Sequence, residues 1–158
     1  NFSKEQSMKR YVGTKVIDAK PMTRAEYNEY RNWELPADEN GADEGYLVEY
    51  LDGGKANDSR HAGYISWSPK EVFERAYTQF HGMTFGMACD FMRKGQRVSR
   101  ANWNGKGMWI EIVPQGYAAS PVGLSAREYI GMKTVDDQFV PWVASQSDIL
   151  SSDWMVVV

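Results

Sequence analysis

No uninterrupted apolar run in this chain of 158 residues extends beyond a few residues, as at Met155 to Val158. A helix crossing a bilayer needs roughly 20, so the sequence predicts no membrane span. The hydrophobic residues must instead be buried through short helices and strands. They make up 42% of the chain against 25% charged, enough for a packed core and far from the signature of disorder. The length suits one ordinary domain or two small ones, since domains commonly hold roughly 100 to 150 residues and some as few as 50. Residues 1–7 carry no apolar stretch of the secretory kind, and read as an extension or a cloning remnant ahead of Met8. The one cysteine, Cys89, has no internal disulfide partner, which fits a reducing compartment.

Punctuation divides the chain into two halves. Residues 11–17 read as a strand, and Thr23 with Glu26 forms a capping box opening a helix to about Arg31. Residues 35–45 have loop chemistry; strands are expected over 45–51 and 63–67. Ser68-Pro-Lys-Glu71 reads as a second capping box, starting a helix over 69–79 whose face holds Val72, Phe73, Ala76, Tyr77 and Phe80. This gives a β-α-β-β-α domain over 8–80, with a boundary at His81-Gly82. Thr84 caps a further helix with Phe85, Ala88, Cys89 and Met92 on one face and Gly95 as its stop. Strands follow over 96–100 and 108–113 around a loop at 102–107, then a long loop over 114–128. A hairpin of 129–134 with 139–142, a short helix over 145–150 and a closing strand over 154–158 complete an α-β-β-β-β-α-β domain over 82–158. The fold class expected is α+β: two small domains, each a short antiparallel sheet with one or two packed helices.

Several chemistries find little support. A net charge of −3 with interspersed signs offers no broad field for a nucleic-acid backbone. One Cys and the distant His61 and His81 do not make a transition-metal set. Cys89 sits on an apolar helix face, where a buried structural thiol is the simpler reading. Asp38, Glu39, Asp43 and Glu44 read as a solvated acidic loop, and Asp136-Asp137 as a turn. No pair of carboxylates is placed in contrasting environments for acid and base work. Asn104-Gly-Lys-Gly107 lacks the full phosphate-loop pattern.

Two tryptophans stand apart. Trp103 lies between Asn102 and Asn104 at a glycine-rich loop tip, and Trp142 follows Pro141 just before the last helix. An indole on a loop either closes a core or covers a ligand. The residues alone leave both readings open. A purine suits the second, because stacking on a base contributes about 1 to 3 kcal/mol, and the amides of residues 145–148 face a phosphate or ribose hydroxyl in that reading. Trp67, Trp109 and Trp154 fall in strands and read as core, and Trp33 as a staple under the acidic loop.

Five blocks in order, Met83-Thr-Phe-Gly86, Trp103-Asn-Gly-Lys-Gly-Met108, Ile130-Gly-Met-Lys-Thr134, Val140-Pro-Trp-Val-Ala-Ser-Gln-Ser-Asp148 and Asp153-Trp154, resemble the second type of Thoeris anti-defence proteins, a family of phage-encoded sponges. The resemblance covers residues 82–158. It implies a small α+β protein that assembles as a homotetramer and holds a cyclic ADP-ribose isomer, and for some relatives cyclic dinucleotides, between subunits without cleaving it. By that resemblance the ligand-facing residues are Trp103, Asn104 and Trp142, and Ser147 and Asp148 also belong to the site. Tyr46-Leu-Val-Glu-Tyr-Leu-Asp52 and the block from Gly63 to Phe73 resemble a small domain of unknown function met in phage proteins.

The resulting expectation is a non-catalytic anti-defence protein that sequesters a cyclic nucleotide immune signal in the cytoplasm of an infected bacterial cell. It has no cofactor, no metal, and no bulk nucleic-acid or membrane partner. The alternatives are a protein-interaction module docking a host or phage partner, with the tryptophans as an apolar hot spot, and a nucleotide-degrading enzyme.

Overall fold

Thr23 accepts a hydrogen bond from the Glu26 amide while Glu26 reaches back to the Thr23 amide, so two free donors at a helix start are satisfied reciprocally. Helix α1 (Arg24–Tyr30) follows from that cap. The computed structural model describes residues 6–117 and 122–158; the first five positions of the expected extension, and positions 118–121 of the expected long loop, lie outside the described residues. The chain divides into two compact units, one ending at Tyr77 and the other running from Thr78 to Val158. Each is an antiparallel sheet with helices, the α+β class expected.

In the first unit strands β1 (Ile17–Pro21), β2 (Gly45–Tyr50) and β3 (Tyr64–Pro69) pair in the order β1-β2-β3. Tyr27 of α1 packs with Leu47 and Ile65 as a core, and Met22, Tyr30 and Trp67 close around it. Register puts Leu47 opposite Trp67 and Glu49 opposite Ile65, so these four share the face under α1. On the other face Phe73 of α2 (Lys70–Ala76) stacks on Tyr46 at 4.0 Å.

Three expectations for this unit need correction. The first strand is not 11–17 but Ile17–Pro21, and Tyr11 and Val12 are exposed. Strand propensity describes fit to a half-buried pleated surface, and the partner β2 offers that surface only opposite residues 17–21. Ser68 does not cap α2: β3 runs through it to Pro69, no side chain caps the helix, and the Lys70 amide donates instead to the Glu44 carbonyl at 3.0 Å. The helix also stops at Ala76 and buries none of its residues, whereas Phe80 packs in the second unit against Phe91 at 5.2 Å. The acidic loop is not merely solvated, because Glu39 and Asp43 both pair with Arg24, and Glu44 pairs with Lys70.

The second unit follows the expected order closely. Thr84 caps α3 (Phe85–Arg93) through the Met87 amide, and Gly95 turns the chain out of it at φ +83°, a left-handed conformation that costs a residue without Cβ little. Strands β4 (Val98–Arg100), β5 (Trp109–Val113), β6 (Tyr129–Lys133), β7 (Phe139–Pro141) and β8 (Trp154–Val156) form one sheet in the order β7-β6-β5-β4-β8. Helix α4 (Gln146–Leu150) lies between β7 and β8 in sequence. Helix α3 packs on β4, β5, β8 and α4, burying Ala88, Phe91 and Met92 alongside Val98, Ile110, Met132 and Trp154. Trp154 has no exposed surface, and its backbone exchanges two hydrogen bonds with Met83 ahead of α3. Trp67 and Trp109, expected in the core, are only partly buried. Trp33 is 53% exposed, not a buried staple.

Candidate functional site

The loop joining β4 to β5 carries Trp103, and the segment joining β7 to α4 carries Trp142. The two are far apart in sequence, yet their ring centroids lie 6.0 Å apart at an interplanar angle of 64°. Both lean on the buried Trp154, at 5.4 Å and 6.1 Å and close to perpendicular. Phe85 of α3 completes the cluster, 6.2 Å from Trp142 and 5.2 Å from Trp154. Edge-to-face packing suits the ring quadrupoles. It also means that Trp103 and Trp142 form a corner, not two parallel walls. Both remain half-buried, so the outer surface of the corner is open while its back rests on core.

A polar network holds the corner from behind. Ser145 caps α4, and its amide and hydroxyl donate to Asp148 Oδ2 at 3.0 Å and 2.8 Å, while the Asp148 amide donates to Ser145 Oγ at 3.1 Å. The other carboxylate oxygen of Asp148 accepts from Arg100 Nη1 at 2.9 Å and from the Trp103 indole at 3.1 Å. Arg100 Nε also donates to Asp153 Oδ1 at 2.9 Å, and Asp153 Oδ2 accepts from the Asn102 amide at 3.0 Å. The Trp154 indole donates to the Asp148 carbonyl at 2.9 Å. Burial pushes the Asp148 carboxyl up, but Arg100, the Ser145 amide and hydroxyl and the Trp103 indole outweigh it and hold the group down to about 2. Asp153 shifts down in the same way: burial opposes, and the Arg100 bond prevails.

The five residues singled out in the sequence therefore take different places. Trp103 and Trp142 meet. Asn104 is exposed at the loop tip beside Trp103, and Ser147 is exposed on α4, its carbonyl accepting from the Ser151 hydroxyl at 2.5 Å. Asp148 is 8% exposed and engaged on both oxygens, so it positions Trp103 instead of presenting a free carboxylate. The amides expected to meet a phosphate are reduced in number, because those of Ser145 and Asp148 are held inside the capping box. Arg100 and Asp153 were not legible as site residues: they join partners 48 to 53 positions apart, and no local spacing signals a contact of that range. Among the described residues no three His, Cys, Asp or Glu side chains are grouped to hold a metal ion, and no helix is long and apolar enough to cross a membrane.

Fold and site together define a small antiparallel α+β domain in which one loop tryptophan, Trp103, is fixed by a largely buried Arg-Asp network and the other, Trp142, packs against it. The Thoeris anti-defense 2-like domain matches residues 83–157, which contain the whole of that network. The protein named Thoeris anti-defense 2 of Bacillus phage SP01 is 36% identical over 84 residues, covering 48% of this chain and 94% of the relative. The chain belongs to the Thoeris anti-defense 2 family, a membership that supports an anti-defence role.

Proposed function

We propose that the chain acts for a phage inside an infected bacterium, in the cytoplasm, by capturing a cyclic nucleotide immune signal and holding it intact. The observation that carries this reading is the Trp103-Trp142 corner, half-open and braced by Asp148, within the segment that matches an anti-defence family. A flat heterocycle stacked on one indole meets the edge of the other, so a single base receives both a face and an edge contact. Asn104 supplies amide donors and an acceptor at the rim, and Ser147 a hydroxyl.

The braced ring matters for affinity. Preorganised side chains lose little freedom on binding, and the Trp103 indole is held in place by the Asp148 bond. At about 0.3 kcal/mol per atom, a ligand of roughly 35 heavy atoms reaches on the order of 10 kcal/mol, or tens of nanomolar. Assembly into a homotetramer, with pockets closed between subunits, supplies the enclosure that such efficiency needs. The preferred ligand in this reading is glycocyclic ADP-ribose, with cyclic dinucleotides as a second class. No bond is broken.

Isothermal titration with glycocyclic ADP-ribose, followed by heat denaturation and mass spectrometry of the supernatant, tests the proposal. Saturable heat and release of the unaltered nucleotide are expected. Absence of heat with every cyclic nucleotide sinks it, and recovery of a hydrolysed product turns the assignment to an enzyme.

A further inference from the structure

The first unit, which lies outside the family match, contains a cavity of about 530 Å³ between the open edge of β3 and helix α1. That volume is in the range of small-molecule pockets. Arg24, Tyr27 and Asn28 of α1 and Arg31 at its C-cap, spaced i, i+3, i+4, i+7, face it together, and Trp33 and Trp67 also line it.

Its walls are planar groups in layers. The Arg24 guanidinium lies 4.4 Å over the Trp67 ring, and that of Arg31 lies 4.3 Å over Trp33. Each plane is fixed at its rim: Arg24 by Glu39 and Asp43, and Arg31 by Asp58, the Tyr27 hydroxyl and the Asn57 carbonyl. A flat ring entering the cavity therefore meets prearranged guanidinium and indole surfaces, the two kinds on which unstacked bases are held.

Hydrogen bonding narrows the class further. Asn28 is 9% exposed and lines the cavity; its Nδ2 donates to the Arg24 carbonyl at 2.8 Å, while its Oδ1 has no partner among the described residues. No buried side-chain nitrogen or oxygen among the described residues lacks a partner, so this oxygen is reached by solvent and stands ready as an acceptor. Arg24 Nη2, one turn away, likewise has none among the described residues. A free amide acceptor and a free guanidinium donor in one lining suit a ligand that carries both N–H and carbonyl or ring-nitrogen groups, as the bases do. Charge argues against an anionic head: Arg24 and Arg31 are offset by Glu34 and Glu39 in the lining, with Asp43 and Asp58 directly behind.

We infer that this cavity is a second ligand site, independent of the tryptophan corner, that binds the base of an uncharged nucleoside. The test is a titration of the full chain with adenosine, guanosine, cytidine and uridine, following the six indole N–H signals by nuclear magnetic resonance. At least one nucleoside is expected to shift the Trp33 and Trp67 signals saturably, and to bind no more weakly than its 5′-monophosphate. Trp33→Ala, at an exposed ring that can be removed without opening the core, is expected to weaken binding about tenfold or more. Arg24→Lys, which keeps the charge and removes the plane, is expected to act in the same direction. Trp103→Ala with Trp142→Ala is expected to leave it unchanged, separating this site from the sponge reading. The inference is overturned if no nucleoside shifts Trp33 and Trp67 at millimolar concentration, if the monophosphate binds better, or if the tryptophan-corner variant abolishes the effect.

Discussion

The Trp103 indole donates a hydrogen bond to Asp148 Oδ1 at 3.1 Å, joining a loop tip to the start of a helix 45 positions later. The same oxygen accepts from Arg100, so one carboxylate atom fixes the orientation of the exposed ring and neutralises a guanidinium whose side chain is 13% exposed. Removing one partner of a buried pair leaves the other charge uncompensated, which typically costs 3 to 5 kcal/mol. Asp148→Ala is accordingly expected to destabilise the second unit by about 3 kcal/mol in urea denaturation. If ligand affinity also falls in the fraction that remains folded, the positioning role of Asp148 is supported; an unchanged denaturation midpoint removes its basis.

The same carboxylate gives an acid limit. Its folded-state value of about 2 lies below the ordinary 3.8, so its contribution to stability is fully present above that ordinary value and is lost as pH falls toward 2. Asp153 acts in the same direction. Melting temperature is expected to drop over that window in the native chain, and to drop less in Asp148→Asn, which has no carboxylate to protonate there. Equal slopes for the two proteins would place the acid sensitivity elsewhere.

The indoles of one cluster are expected to divide into two kinds. Trp154 is fully buried, and truncating a buried Trp costs about 3 to 5 kcal/mol, so Trp154→Ala should lose most of its stability. Trp142 is half-buried at the open rim. Trp142→Ala is expected to shift the melting temperature by only a few degrees while weakening nucleotide binding tenfold or more. Calorimetry of both variants, with and without ligand, reads the two effects separately.

This division shows what local sequence can carry. Thr23, Thr84 and Gly95 are legible because a cap or a left-handed stop is satisfied within a few residues of itself. The hairpin of β6 and β7 is legible because its turn, with Asp137 at φ +62°, lies between two short apolar stretches. Ser68-Pro-Lys-Glu71 misleads because a neighbouring carbonyl, that of Glu44, reaches the Lys70 amide first and leaves Ser68 to the strand. The convergence of Trp103 and Trp142 depends on sheet order and on Trp154 behind them. Loop chemistry marks each ring as unusual without saying that they touch.

Edge protection in the first unit comes from a side chain eight residues away. Asn57 accepts from the Ile65 amide and donates to the Ile65 carbonyl, both at 2.8 Å, covering part of the open edge of β3. Ile65 is 1% exposed, and leaving its backbone groups without partners costs roughly 1 to 3 kcal/mol. Asn57→Ala is expected to lower stability by that amount and to speed amide exchange at Ile65. Exchange at the native rate would show that another group covers the edge.

A backbone approach sets the tightest tolerance in that sheet. Gly63 precedes β3 at the point where the chain passes the Tyr50 carbonyl, and a Cβ added there would fall far inside van der Waals contact with that oxygen and close to the carbonyl carbon. The obstacle is backbone, so no side-chain rotation relieves it, and the ends of β2 and β3 must part. Glu49, whose side chain also lies near that Cβ, would move with them, together with its contact to His61. Gly63→Ala is expected to destabilise the first unit by more than the roughly 1 kcal/mol by which an ordinary Gly-to-Ala change stabilises a chain. Amide exchange should rise at Tyr50 and Tyr64 and stay unchanged in β5 and β6. A variant as stable as the native chain would mean that the strand ends separate without cost, and that the pairing of Tyr50 with Tyr64 contributes little to the sheet.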